Sequence, residues 1–228
     1  MKILNETRKS FGGTIRFKEL MDELNSYLGK LTDLVIEMIE KGHKALIEDD
    51  EGLFKKIEEN LCKVHELSYQ VEDSVQSSLA LHQPFASDLR YILSTLKITN
   101  EIHRSAHDAV HIANSTTYVD IALNKELIKR VVELAKRASL MFEKSIDAFR
   151  HRKELDITEW KKLDDRVDSL HAKLIDDIIA KIQKEPSWAR AGMSLVLATR
   201  YIERIADHAC NIVEESIFVV TSKRVKIE

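Results

Sequence analysis

Two stripes of metal-ligand side chains run along the third and sixth helical segments of the sequence. His103, His107 and His111 recur every four residues in the first, and Glu203 and Asp207 have the same spacing one hundred positions later. Residues four apart on an α-helix lie on one face, with Cβ atoms roughly 5 to 6 Å apart. Imidazole suits zinc, nickel, copper and iron, whereas carboxylate suits harder cations. The spacing is therefore compatible with metal binding by a different donor set in each stripe.

The acidic stripe has a counterpart on the preceding segment, where Asp164 and Asp168 are again four residues apart. If the two helices pack antiparallel, four carboxylates converge, and such a cluster is unfavourable unless a cation or a neighbouring base neutralises it. From spacing alone, a solvated helix face with ion pairs to Arg166, Arg200 and Arg204 explains the same residues. Both interpretations stay open on this evidence.

The two stripes belong to a longer internal repeat. Residues 87–112 align without a gap to residues 187–212 and share nine identities, and "VHELSYQV" at 64–71 aligns more loosely with "VDSLHAKL" at 167–174. Long amphipathic helices resemble one another because similar faces need similar residues. Composition alone does not easily reproduce matched arginine, serine and threonine positions, so the pattern favours a true duplication.

The elements that carry these residues are predicted to be helices. Apolar residues recur at helical spacing along nearly the whole chain, and the period-2 alternation of strands is absent over any useful length. Ser87 and Ser187 are expected to cap the two helices that carry the stripes. The sequence predicts an all-α protein of two pseudo-symmetric three-helix bundles, residues 16–118 and 124–220. Breakers such as Pro84 and Pro186 place the six helices near 16–48, 52–82, 87–118, 124–152, 158–184 and 187–220.

Composition limits the classes of function. The 228 residues are 44% hydrophobic and 32% charged with a net charge of −3, and no block of basic residues favours nucleic acid. No apolar run approaches the roughly 20 residues of a membrane span, and "MKILNETRKSFGG" lacks the apolar region of a secretory signal. We therefore expect a cytoplasmic protein without direct membrane insertion. Cys62 and Cys210 are expected to be small buried residues, and the basic end "SKRVKIE" is expected to be frayed.

Three segments carry a resemblance to the PhoU family. "ATRYIERIADHACNIVEESIF" is similar to the family's "LERIGDHAxNIAE", "DDRVDSLHAKL" resembles its "D..ID.LE.EI", and "HQPFASDLRYILSTLKI" resembles its "QQPxAxDLRxI". The resemblance spans residues 16–220. It implies two three-helix bundles related by pseudo-twofold symmetry, an E(D)xxxD metal-cluster motif in each half, and a role in restraining phosphate uptake and signalling.

The resemblance implies a complete acidic ligand set in the second half: Asp164, Asp168, Glu203 and Asp207. The first half departs from the motif, since His103 and His107 replace the acids of its third helix. Leu61 and His65 take the acidic positions of its second helix, and His111 continues the stripe by one more turn. We expect the four histidines to bind a transition metal, with iron or zinc favoured for the protein as a whole. The alternative is that these imidazoles fill a groove between helices.

These observations favour a non-enzymatic, metal-binding regulator of phosphate transport over three alternatives. A ferritin-like di-metal oxidase needs Glu-x-x-His motifs from two helices, and the nearest match is the single Asp168-x-x-His171. A phosphohydrolase is suggested only by the dipeptide His107-Asp108, and a metal-free scaffold stays open. The resemblance implies that the ATPase subunits of a phosphate ABC transporter and a sensor histidine kinase are partners at the inner membrane face. A homodimer is compatible with the sequence.

Overall fold

The computed structural model describes residues 15–47, 51–115 and 125–227, and this part of the chain contains helices and no strand. The helices are α1 (Ile15–Ala45), α2 (Glu51–His82), α3 (Ala86–Ser115), α4 (Lys125–Arg150), α5 (Ile157–Lys184) and α6 (Ala189–Thr221). The all-α prediction is confirmed. The predicted boundaries at 48, 118 and 124 lie outside the described residues, and the others differ from the structure by at most two residues. None of the helices in the described ranges has an apolar stretch long enough to cross a membrane.

Local polar contacts show how some helices begin. Asp156 precedes α5 and accepts a hydrogen bond from the backbone N–H of Thr158 at 2.8 Å, which satisfies one unpaired donor of the first turn. The two predicted serine caps are wrong. Ser87 lies inside α3, which begins one residue earlier, and Ser187 lies inside a short 3-10 helix at Pro186–Trp188. Because the proline directly precedes Ser187, the chain makes this tighter turn before α6 begins.

The helices form two bundles that meet along α3 and α6. In the first bundle α1, α2 and α3 all contact one another, and in the second α4 and α5 contact each other and α6. The bundles contact each other mainly through α3 and α6, with a smaller contact between α1 and α4. Each helix buries an apolar stripe at helical spacing. In α1 this stripe consists of Leu24, Leu28, Leu31, Val35 and Met38, all fully buried.

Small residues allow close packing around α3. A Cβ atom added at Gly42 of α1 would lie 2.8 Å from the carbonyl oxygen of Ala109 in α3, which is closer than real contacts of this kind. Ala106 and Ala109 are fully buried, as are their repeat counterparts Ala206 and Ala209. The repeated alanines therefore mark the tightly packed side of each central helix.

Two sequence expectations about single residues are corrected by the structure. Residues 222–227 of the predicted frayed end are held on the protein, because Ile227 is 3% exposed and packs with the hydrophobic core, whereas Glu228 lies outside the described residues. Burial of the Ile227 side chain stabilises the contact of this segment with the protein, although its basic residues suggested that it would be solvated. Cys210 is buried as expected, but Cys62 is exposed, since it lies beside Lys63 on the outward face of α2.

Candidate metal centres and the interface between the bundles

Three histidine side chains meet between α2 and α3. The ring of His65 lies 4.6 Å from that of His103 and 5.9 Å from that of His107, measured between centroids. The rings of His103 and His107 are 4.9 Å apart. One nitrogen from each ring lies within 4.8 Å of the other two, and no other three His, Cys, Asp or Glu donors of the described residues approach so closely. The structure therefore brings together three of the four predicted histidines, which we call the histidine group.

The surroundings of His103 and His107 favour neutral imidazoles. Burial lowers the pKa of His103, and the neighbouring His107 and His65 lower it further. Burial also lowers the pKa of His107, as do His65 and His111, while Asp108 acts in the opposite direction. A neutral imidazole keeps a lone pair for a metal ion, whereas an imidazolium has none. His65 is exposed, so an ion has access to the group from solvent.

His111 lies one turn beyond the histidine group and has a different partner. Its ring stacks on Tyr201 of α6, with centroids 4.7 Å apart and planes 21° apart. The structure thus places His111 at the contact between the bundles. Leu61, which takes the first acidic position of the motif, packs against the hydrophobic core and supplies no donor. A ligand role for His111 stays a prediction.

The four predicted acidic ligands lie on α5 and α6. Asp164 is 8% exposed and accepts a hydrogen bond from the thiol of Cys210 at 3.2 Å. The same sulfur accepts a hydrogen bond from the indole N–H of Trp160 at 3.3 Å. Burial and the negative charge of Asp164 raise the pKa of the Cys210 thiol, so it stays protonated and donates. A buried chain of hydrogen bonds therefore orients the Asp164 carboxylate.

Glu203 lies close to two of the other predicted acidic ligands, Asp207 and Asp168, but among the described residues no three of the four acids come as near to one another as the histidines do. Burial and the charge of Asp207 raise the pKa of Glu203 to about 7, with a smaller contribution from Asp168, while Arg200 opposes the shift. The guanidinium of Arg200 also contacts the Glu203 carboxylate. The negative charges are therefore near enough to repel one another even with one arginine present. A cation at this place would stabilise the ionised form of Glu203.

His171 adjoins the acidic residues and was not among the predicted ligands. It follows Asp168 by three residues on α5, and its Nε2 atom is buried without a hydrogen-bond partner. Burial lowers the pKa of His171, Arg200 lowers it further, and Asp168 raises it. The Asp168-x-x-His171 spacing is therefore the sequence signal for a histidine beside the predicted acidic ligands.

The histidine group and the acidic residues occupy equivalent places in the two repeats. Each spans the second and third helix of its own bundle. Adding 100 to the residue number maps His103 and His107 onto Glu203 and Asp207, and adding 103 maps His65 onto Asp168. The structure is therefore consistent with one ancestral site whose donors differ between the halves.

A buried ionic network joins α3 and α6, and the sequence analysis did not predict it. His208 is 2% exposed, with Nδ1 2.7 Å from a carboxylate oxygen of Glu101 and Nε2 3.2 Å from one of Asp108. Arg204 lies 3.3 Å from Asp108, and the amide of Asn211 donates to Glu101 at 3.0 Å. Burial lowers the pKa of His208, but the hydrogen bonds and charges of Asp108 and Glu101 outweigh burial and raise it. Both ring nitrogens face carboxylate oxygens, so the protonated ring can donate through both, and the raised pKa favours this imidazolium form.

The repeat contains the signal for this network. Asp108 and His208 are equivalent positions of the two halves, so an acid and a base face each other across the pseudo-twofold axis. The contacts of Glu101 with Asn211 and of His111 with Tyr201 are related to each other by the same repeat, because adding 100 maps Glu101 onto Tyr201 and His111 onto Asn211.

Comparison with known proteins gives the same fold. The structure of PhoU from Pseudomonas aeruginosa superposes with a TM-score of 0.75 at 23% identity, covering 91% of this chain and 100% of that chain. The phosphate transport system regulatory protein PhoU from Streptococcus pneumoniae superposes with a TM-score of 0.72 at 22% identity, covering 91% and 98%. These two likenesses support the six-helix architecture.

Curated relatives extend the comparison to sequence. A phosphate-specific transport system accessory protein PhoU homolog from Clostridium acetobutylicum is 26% identical over 212 residues, which is 92% of this chain and 97% of the relative. The PhoU homolog 1 from Thermotoga maritima is 28% identical over 220 residues, which is 93% and 92%. The chain therefore corresponds to nearly the full length of these relatives.

A family model described as the PhoU domain matches the chain twice, at residues 28–116 and 131–216. The first match contains the histidine group and the second contains the four acids. Together the matches cover well over half of the sequence, and they fall on the two bundles that α3 and α6 join. The chain therefore belongs to the PhoU family.

Proposed function

We propose that the protein is a metal-binding regulator of phosphate uptake and phosphate-responsive signalling, without enzymatic activity of its own. The regulatory part is supported by the relatives from Clostridium acetobutylicum and Thermotoga maritima, which are named accessory proteins of a phosphate-specific transport system. The metal-binding part rests on one observation. His65, His103 and His107 hold ring nitrogens within 4.8 Å of one another.

The donor chemistry of the histidine group fits a borderline transition metal such as zinc. Neutral imidazoles are ligands for zinc, copper, nickel and iron, and the lowered pKa values of His103 and His107 keep their lone pairs available. A tetrahedral ion needs a fourth ligand, and because His65 is exposed, water has access to that position. The three imidazoles would hold and orient the ion between α2 and α3.

The carboxylates of α5 and α6 fit a harder cation than the histidines do, and we propose that iron binds at this second site. A cation bound there would offset the repulsion that raises the pKa of Glu203 to about 7. Its proposed ligands are Asp164, Asp168, Glu203 and Asp207. The Cys210 thiol keeps Asp164 oriented by a hydrogen bond and is not itself a proposed ligand.

We further propose that the protein acts in the cytoplasm and reaches the inner membrane only through protein partners. These partners are the ATPase subunits of a phosphate ABC transporter and a sensor histidine kinase. Leu93 on α3 and Met193 on α6 occupy equivalent positions and are 43% and 56% exposed. Two matching apolar positions suit a partner that presents two related subunits.

The metal proposal is tested by metal analysis of protein purified without affinity nickel or added chelator. Metal release measured between about pH 8 and pH 4 is expected in two steps. An unperturbed imidazole protonates at higher pH than an unperturbed carboxylate, and a cation bound among the acids would remove the repulsion that raises the pKa of Glu203. A His103→Ala, His107→Ala double variant should lack only the step at higher pH, and the exposed His151→Ala should keep both steps. A single step that the double variant leaves unchanged would show that the histidines are packing residues.

The regulatory proposal is tested in cells with and without the transporter. The protein should be recovered in the membrane fraction only when the transporter is present, and its deletion should raise phosphate uptake or misregulate phosphate-responsive genes. Equal recovery in both strains together with a normal phosphate response would remove the regulatory role and leave metal binding as a separate result.

A further inference from the structure

Residues 222–227, which we call the tail, fold back against the protein after α6 ends. Ser222 has a left-handed backbone conformation with φ of 60°, and its N–H donates to the carbonyl of Phe218. The backbone N–H of Lys223 donates to the hydroxyl of Thr221 at 3.2 Å. The tail ends in the buried side chain of Ile227, which is 3% exposed. A short segment without regular secondary structure therefore lies on the folded protein.

Two glutamates of α6 hold the tail. The guanidinium of Arg224 lies 2.6 Å from a carboxylate oxygen of Glu215. The ammonium of Lys226 lies 3.1 Å from Glu214, and the backbone N–H of Ile227 donates to the other oxygen of Glu214 at 2.9 Å. Each glutamate therefore binds one basic side chain of the tail, and Ile227 fills an apolar position beyond them.

The groove under the tail is organised from the side of α3 as well. Ser94 donates to Glu215 at 2.6 Å and Lys97 lies 2.9 Å from it, so the carboxylate is oriented by residues outside the tail. Burial raises the pKa of Glu215, but the hydrogen bonds from Ser94, Lys97 and Arg224 outweigh burial and lower it. The carboxylate is therefore ionised at neutral pH and presents a fixed negative charge.

A cleft of about 710 Å³ continues from this groove along α3 and α6. Arg224, Val225 and Lys226 form one wall of the cleft. The rest of its lining comes from Lys97, Asn100, Glu101, Asn211, Glu214 and Glu215. Removing the tail would therefore open one wall of the cleft and leave the carboxylates of Glu214 and Glu215 without their partners from the tail.

We propose that the tail is an internal ligand covering a peptide-binding groove, and that the groove takes an extended partner segment in which basic and apolar residues alternate. The tail itself has this pattern, as Arg224-Val225-Lys226-Ile227, and its charges match Glu214 and Glu215. This inference rests on neither the metal sites nor the role in phosphate transport.

The contacts that hold the tail are of a kind that a competing segment can replace. The side chains of Arg224 and Lys226 are 53% and 72% exposed, and ion pairs of exposed side chains contribute little to stability. The backbone contacts of Lys223 and Ile227 are made to side-chain acceptors. A tethered segment competes through its high effective concentration, so an external peptide binds well only when the tail is weakened.

The test measures binding of a fluorescein-labelled peptide of sequence SKRVKI to the full chain by fluorescence anisotropy. An Arg224→Ala, Lys226→Ala, Ile227→Ala variant should bind this peptide at least about tenfold more tightly than the wild type, because the tethered competitor is weakened. Adding Glu214→Gln and Glu215→Gln should abolish that gain. Adding Glu58→Gln and Glu59→Gln on the exposed face of α2 removes the same charge and should leave it unchanged.

Circular dichroism establishes that each variant is folded, and the single variant Ile227→Ala provides the test if the triple variant is not. Equal peptide affinity of the wild type and the tail variants would overturn the proposal, as would binding that survives the two glutamine substitutions at the groove. A wild-type dimer that dissociates on Ile227→Ala would assign the groove to the tail of a second copy and would overturn the proposal as well.

Discussion

Replacement of His208 by glutamine is the most direct test of the interface between the bundles. His208 is 2% exposed and lies between Glu101 and Asp108, so the substitution removes a buried positive charge from between two carboxylates. Breaking a buried ion pair costs about 3 to 5 kcal/mol. Because Asp108 keeps Arg204 and Glu101 keeps Asn211, we expect the lower end, about 3 kcal/mol. For a protein of this size that loss lowers Tm by about 6 to 12 °C.

The same contact makes the stability depend on pH. The pKa of His208 is raised in the folded protein above the value of about 6.5 for an unfolded histidine. Its contribution is therefore complete below about pH 6.5 and is lost as the pH rises through the folded pKa, by at most about 1.4 kcal/mol per pH unit. His103 and His107, whose pKa values are lowered, contribute in the opposite direction and lose their contribution as the pH falls. Comparison with the variant isolates His208.

The assay is urea unfolding followed by circular dichroism from about pH 6 to about pH 9. The difference in unfolding free energy between wild type and His208→Gln should be largest near the acidic limit and shrink towards the basic one. Asp108→Asn and the double variant complete a cycle that measures the coupling of the pair. His151→Gln removes an exposed histidine paired with Asp147 and should cost less than about 1 kcal/mol. A difference that is constant or grows with pH would refute an imidazolium at position 208.

Two further predictions concern packing and the acidic residues. Gly42→Ala should cost about 1 to 3 kcal/mol in thermal unfolding, because the new Cβ lies 2.8 Å from the Ala109 carbonyl oxygen. Gly29→Ala meets only the movable end of Arg150 at 3.0 Å and should cost less, and equal losses would contradict this argument. In chelator-treated protein, the pKa of Glu203 near 7 means that stability falls as pH rises from about 4.5 to 7, and Glu203→Gln should flatten this fall in melting curves. If the melting temperatures of the two proteins change with pH in the same way, the ionised carboxylate of Glu203 is not destabilised in the folded protein.

The three rings of the histidine group could be predicted to meet because they lie on consecutive helices of one bundle, whereas the contact of His111 with Tyr201 and the place of His171 beside Asp168 could not. Spacing of four residues places His103 and His107 on one face of α3, and the alignment of the repeats supplies His65 from α2. The structure brings these three rings together as the alignment suggested. Apolar residues that recur at helical spacing also located the six helices, because each helix buries one apolar stripe.

The interface between the bundles could not be predicted in the same way. Periodicity assigns Glu101 and Asp108 to one face of α3, but it does not tell which helix covers that face. Charged residues usually lie on solvated surfaces, so the sequence predicts that Glu101 and Asp108 are exposed. Their low exposure becomes understandable only when the structure places His208 opposite them. Ile227 was missed for a related reason, because the basic residues around it outweighed a single apolar side chain in the composition of the segment.

Helix α3 uses one face for the candidate metal site of its own bundle and another face for the contact with α6. On α3, His103 and His107 face α2, while Glu101 and Asp108 contact residues of α6. The face toward α2 therefore carries the two α3 donors of the histidine group. The contact between the bundles depends instead on the ion pair of Asp108 with His208. Exchanging a carboxylate for an imidazole at the candidate metal ligands leaves this ion pair in place. This separation gives a physical reason why the first half can carry histidines where the second carries acids while both bundles keep the same fold.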